Sequence, residues 1–174
     1  MGEQLYLTKP SVNLKEEYLS FYKEWIESGE TIVPWVIEKD PSNFEEMVQF
    51  LMDNEKGINL PDGWVPDSTY WLLNNEKRII GAVNIRHQLT EVLFNSGGHI
   101  GYGIRPSERR KGYATKLLSL SLEKAKELGI KKVLVVCDKT NVGSLKVITN
   151  NNGIPDSDFV EDDGNIVKRF WIEL

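Results

Sequence analysis

The segment from Gly103 to Thr115, Gly-Ile-Arg-Pro-Ser-Glu-Arg-Arg-Lys-Gly-Tyr-Ala-Thr, carries the densest chemical information in the chain. A strand pattern ends near Ile104, a basic turn follows, and a helical pattern begins past Gly112. Helix N-termini present unpaired N–H groups and the positive end of the helix dipole, so they hold anions. Gly112 lets backbone approach a ligand with no side chain in the way, and Ala114 is small at the next tight position. Arg109, Arg110 and Lys111 add charge at an end of the helix that the dipole makes unfavourable for cations. A bound polyanion such as a pyrophosphate offsets that cost. On charge alone a solvated basic turn is the commoner explanation, so the segment needs its context.

The elements around it supply that context. Gln4 to Lys9 alternates as a short strand. From Leu14, the residues Tyr18, Phe21, Tyr22, Trp25 and Ile26 recur at helical spacing, and Gly29 stops them. An irregular stretch holds Pro34 and Trp35. A second helix runs through Phe44, Met47, Val48 and Leu51, and Ser42 with Glu45 predicts a capping box at its start. Past a Pro- and Gly-containing loop come strands over 69–73, 78–88 and 98–104. The helix after Pro106 carries Ala114, Leu117, Leu118, Ser121, Ala125 and Leu128 on one face, and Gly129 ends it. Val133 to Val136 is apolar on both faces and predicts a central strand over 132–137. A short helix over 141–150 and a hairpin around Asp163-Gly164-Asn165 close the chain. This order predicts an α/β fold with a mixed sheet covered by helices, formed as one domain over residues 1–174.

Bulk properties agree with a folded enzyme-sized domain. The 174 residues are 40% hydrophobic and 27% charged, with formal net charge −5. That acidity disfavours binding nucleic acid through the whole-molecule field. The single cysteine, Cys137, excludes an intrachain disulfide framework and reads as a small core residue. The sequence shows neither a membrane span nor a signal peptide, which points to a cytoplasmic protein.

Arg109-x-x-Gly112-x-Ala114 resembles the pyrophosphate signature of the GNAT (Gcn5-related N-acetyltransferase) superfamily, in its usual place between a strand and a helix. Downstream, Asn141-x-x-Ser144 opening a helix after the strand ending at Cys137 is similar to the second cofactor motif of that family. Arg86-His87-Gln88-Leu89 and Gly97-Gly98-His99-Ile100-Gly101-Tyr102 look like marks of a bacterial subgroup of predicted acetyltransferases. The resemblance implies a mostly antiparallel sheet of six to seven strands with helices on both faces. It implies that strand four splays from strand five and that acetyl-CoA lies in the gap. It implies acetyl transfer directly to an amine of a small molecule or protein. The alternative is a non-catalytic acyl-CoA-binding sensor or partner of the same fold.

The same resemblance assigns cofactor contacts to Tyr102, Gly103, Ile104, Arg109, Arg110, Lys111, Gly112, Tyr113, Ala114, Thr115, Asn141 and Ser144. The backbone N–H of Ile104 is expected to receive the thioester oxygen. His87, Glu91 and His99 are the candidate general bases, each also readable as an ordinary structural residue. Many family members carry a tyrosine general acid seven residues after the Asn, and here that position is Ile148. The expectation is therefore a thiolate that leaves without a tyrosine acid, with Tyr102 facing away from the direction shared by Gly101 and Gly103. Trp35 and Trp64 are expected at the acceptor wall. The partners expected are acetyl-CoA and an amine acceptor, with no metal, nucleic acid or membrane; the sequence leaves the oligomeric state open, a homodimer being one option.

Overall fold

A computed structural model describes residues 2–174. Strands β1 (Tyr6–Thr8), β2 (Asp67–Leu73), β3 (Ile79–Arg86) and β4 (Ile100–Ile104) form one antiparallel sheet in that order. Strand β5 (Lys132–Asp138) pairs with β8 (Ile166–Glu173), which also pairs with the two-residue strands β6 (Ile154–Pro155) and β7 (Phe159–Val160). No ladder joins β4 to β5 among the described residues, so the sheet is split between its fourth and fifth strands as expected. The short strand β6 is the one the sequence pattern missed, because it holds a proline and both its residues are exposed.

Strand alternation divides the core into two layers. Trp71, Leu73 and Ala82 pack with Tyr18, Phe21 and Trp25 of α1 (Lys15–Ser28) and with Phe44 and Met47 of α2 (Phe44–Glu55). Tyr70, Leu72, Val83, Ile100 and Ile104 face the other way, onto Leu117, Leu118 and Ala125 of α3 (Tyr113–Glu127) and Ile148 of α4 (Val142–Asn150). Gly29 stops α1 in the left-handed conformation, its N–H donating to the Ile26 carbonyl.

The start of α2 differs from the capping-box expectation. Asn43, not Ser42, is the cap, and its side chain accepts the Glu46 N–H. Ser42 is drawn off by Asp40, whose carboxylate accepts both its hydroxyl at 2.6 Å and its N–H at 2.9 Å. Strand β2 begins two residues earlier than its apolar pattern suggests. Asp67 and Ser68 are polar yet buried, and Asp67 is held by the Asn84 amide at 2.6 Å. No helix among the described residues is long and apolar enough to cross a membrane. Nor do three or more metal-binding side chains gather at one place among them.

Candidate active site

Where β4 and β5 part, the fold opens a cleft of about 850 Å³, within the range of small-molecule sites. The strands meet near their starts and separate toward their ends. The His99 N–H donates to the Leu134 carbonyl at 2.7 Å, and the Leu134 N–H donates back to Nδ1 of the His99 ring at 2.9 Å. The imidazole thus takes the place of the next backbone acceptor just as the ladder fails. His99 is 6% exposed, and its pKa is pushed down to about 4 by burial, then by the nearby Arg86 charge. It is a neutral clasp at the closed end of the split, so the structure removes it from the candidate bases. Gly98 makes the approach feasible, with φ +68° and a would-be Cβ only 2.8 Å from the Leu134 carbonyl oxygen.

Backbone hydrogen bonds show which groups face the gap. The Arg86 N–H donates to the His99 carbonyl and the Arg105 N–H donates to the Ile80 carbonyl. Odd-numbered positions of β4 therefore bond β3, and by alternation the N–H groups of Tyr102 and Ile104 point toward β5. Since Leu134 faces β4, the backbone of Val136 also faces the gap. An extended polar chain laid between the strands would find donors and acceptors on both sides.

The basic turn closes one end of the cleft. Arg109, Arg110, Gly112, Tyr113, Ala114 and Thr115 line it. Arg110 and Gly112 both have left-handed backbones, φ +62° and +80°, and no side chain caps α3. Its first N–H groups are therefore left without a cap beside the cleft, an arrangement that suits an anion. Two of the three basic side chains of the turn are paired with carboxylates. Arg109 pairs with Glu30 at 2.6 Å, donates to the Ile104 carbonyl at 3.3 Å and lies over the Trp25 ring. Lys111 pairs with Glu108 at 2.7 Å and lies outside the cleft. The Tyr113 hydroxyl donates to Glu3, and that bond pushes its pKa up to about 12. Arg110 lines the cleft beside the uncapped start of α3, with no carboxylate paired to it among the described residues.

Across the gap, Asn141, Ser144, Val136 and Cys137 line the cleft with Tyr102, Gly103 and Ile104. The Asn141 side chain caps α4, accepting the Ser144 N–H at 3.1 Å. Burial pushes the Cys137 thiol up to about 11, which keeps it protonated and a poor nucleophile. Tyr102 faces away from Gly101 and Gly103, as alternation requires, but that direction is the α4 side of the cleft. Its hydroxyl lies beside Ser144, is buried, and has no well-formed hydrogen bond among the described residues. Burial pushes its pKa up to about 12. A buried orphan hydroxyl in a cleft is satisfied by a polar ligand. Ile148, by contrast, is fully buried in the core and does not line the cleft.

The two remaining candidate bases lie elsewhere. His87 is on the α3 face of the first sheet, where its Nε2 meets the Ser68 hydroxyl at 2.8 Å, and burial lowers its pKa. Glu91 is exposed on the connection after β3. Neither lines the cleft, whereas Arg86, the residue before His87, does. Alternation sends Arg86 toward the α1 side and His87 toward α3, a difference that one residue of register decides. Trp35 lines the cleft, while Trp64 packs edge-on against it at 5.0 Å from outside.

A family model described as Acetyltransferase (GNAT) domain matches residues 5–152. The chain belongs to the GNAT acetyltransferase family. Members of that family use acetyl-CoA as acyl donor. The fold is shared with the microcin C7 self-immunity acetyltransferase MccE, solved in complex with acetyl-CoA and AMP, at TM-score 0.70 and 14% identity over 99% of this chain and 94% of that one. A Salmonella typhimurium acetyltransferase that modifies the N-terminal serine of ribosomal protein L7/L12 matches at TM-score 0.68 and 13% identity, over 98% and 95% of the two chains. The dodecameric spermidine N-acetyltransferase of Vibrio cholerae matches at 0.67 and 16%, over 98% and 94%. No curated protein matches the sequence significantly.

Proposed function

We propose that this protein is an N-acetyltransferase that moves the acetyl group of acetyl-CoA directly to an amine, with the cofactor in the cleft between β4 and β5. The observation that carries this reading is the cleft itself. An uncapped helix start with two left-handed residues stands at one end, backbone polar groups of both strands line the walls, and an orphan tyrosine hydroxyl lies between them.

When bound, acetyl-CoA supplies an acetyl group already activated as a thioester. The N–H groups of Gly112, Tyr113 and Ala114 hold the pyrophosphate. The N–H of Ile104, pointing into the gap, donates to the acyl oxygen as charge develops there, the oxyanion-hole role. Tyr102 donates a hydrogen bond to the departing sulfur. Its pKa near 12 stands well above that of an ordinary thiol, about 8.5, so the phenol keeps its proton and stabilises the thiolate charge. Water completes the protonation. This assigns Tyr102 a role without making it a general acid, consistent with Ile148 at the place where many relatives carry one.

His87 and Glu91 do not face the cleft, so the amine arrives already neutral or gives its proton to water. Incubation of the protein with acetyl-CoA and a panel of primary amines, following free thiol, tests the reading. Thiol release that depends on an amine, with a stoichiometric acetylated product, supports it. Tight acetyl-CoA binding with no amine-dependent release across the panel would favour a cofactor-binding partner protein.

A further inference from the structure

Among the described residues no carboxylate comes within ion-pair distance of Arg86, although Asp67 stands opposite it in the β2–β3 register. The Arg86 guanidinium lies against Gly101, where a Cβ would come within 3.4 and 3.5 Å of its two terminal nitrogens, and it lines the cleft on the face opposite Tyr102. Its one hydrogen bond is a long 3.4 Å contact from Nη1 to the Gly97 carbonyl. Asp67, the acid whose charge Arg86 feels, is engaged by the Asn84 amide at 2.6 Å. A guanidinium has five donors in a planar fork that fits a carboxylate in two parallel bonds. Nearly all of that capacity is unused here. On this side of the cleft apolar surface comes from Pro34, whose Cβ also reaches the Gly101 position, and from Trp35, itself packed edge-on by Phe50 and Trp64.

We infer that Arg86 binds a free carboxylate of the acceptor, so that the amine substrate is an amino acid, with its side chain laid along Trp35. This rests on the transferase reading above and names its substrate class. The Val33 carbonyl covers this face at Gly103, where a Cβ would lie only 1.9 Å from its oxygen, so the open part of the face is the one at Gly101, under the guanidinium. A polycation such as spermidine would meet uncompensated positive charge at the same place.

Matched amines decide the matter. Phenylalanine, phenylalanine amide and phenethylamine share a ring and an amine and differ at the carboxylate; spermidine serves as the cationic comparison. Each is given to the full-length protein with acetyl-CoA, and each is also titrated into the protein–CoA complex by calorimetry. The expected result is that phenylalanine binds the complex and is acetylated with kcat/KM about a hundredfold above phenethylamine. Arg86→Gln should raise KM for phenylalanine about a hundredfold, leave kcat nearly unchanged and leave phenethylamine unaffected, and Arg86→Lys should restore part of the loss. Preference for phenethylamine or spermidine, absence of phenylalanine binding to the CoA complex, or an equal effect of Arg86→Gln on all amines would overturn the inference. Failure of CoA itself to bind would instead refute the transferase reading, and calorimetry with CoA alone detects that separately.

Discussion

Tyr102 and His99 show how far single residues could be read. The alternation of β4 correctly turned Tyr102 away from Gly101 and Gly103. Which layer it then met depended on α4 packing against the far face, and that long-range fact is absent from local spacing. As a hydrogen-bond donor to the leaving sulfur, Tyr102 is worth about 1–1.5 kcal/mol. Tyr102→Phe should therefore lower kcat about tenfold, with the same loss at every pH from 6 to 9. A fall of 10²-fold or more that varies with pH would mean true proton transfer by the phenol. His99 was a candidate base in the sequence because histidine titrates conveniently, but a partner in β5 decides its role. Its folded pKa of about 4 lies below the ordinary 6.5, so the unfolded chain takes up the proton first as pH falls. The associated stability is complete above about pH 6.5 and is lost down to about pH 4, roughly 3 kcal/mol in all. Thermal melts across that range should show the decline, and His99→Asn should flatten it, since an amide oxygen can accept the Leu134 N–H without titrating. An unchanged slope in that variant would remove His99 as the cause.

At the scale of elements, the helices and the long strands were legible because their apolar periods are strong: Tyr18, Phe21 and Trp25 on α1, and Leu117, Leu118 and Ala125 on α3. Boundaries were less so wherever a polar side chain had two partners to choose from, as Ser42 did between Asp40 and the α2 start. The second cofactor motif begins with Asn141, which is now seen as a helix cap. Asn141→Ala should cost about 1 kcal/mol of stability, a melting shift of about 2–4 °C at this size. Acetyl-CoA affinity should change less than stability does; calorimetry showing the reverse would place the amide on the ligand. The turn into β4 depends on Gly98, whose backbone (φ 68°, ψ −176°) is accessible essentially only to glycine. Gly98→Ala should cost about 2 kcal/mol or more in denaturant unfolding, and a neutral result would show that the clasp between β4 and β5 is loose.

For the whole molecule, the order of elements predicted a mixed sheet covered by helices, and the family resemblance carried by the basic turn implied the split between the fourth and fifth strands. On the α1 side of the cleft only Trp35 was legible, because that side is assembled from the loop at Pro34 and Trp35, the end of β3 and the turn at Gly97, which no local pattern connects. Solved relatives share the fold at identities of 13–16%. The central claim is that acetyl-CoA occupies the gap between β4 and β5, with its pyrophosphate on the turn at Gly112. No atom beyond its chain neighbours lies within 4 Å of where a Gly112 Cβ would be, so a large side chain there meets no core atom and projects beside the start of α3, at a cost of about 1 kcal/mol for the left-handed backbone (φ +80°). Calorimetric titration of acetyl-CoA into the wild-type protein and into Gly112→Trp, with a melting curve to show that the variant is folded, tests the claim most directly. The account predicts one saturable site in the wild type and no detectable binding in the folded variant, whereas unchanged affinity in the folded Gly112→Trp protein would contradict it.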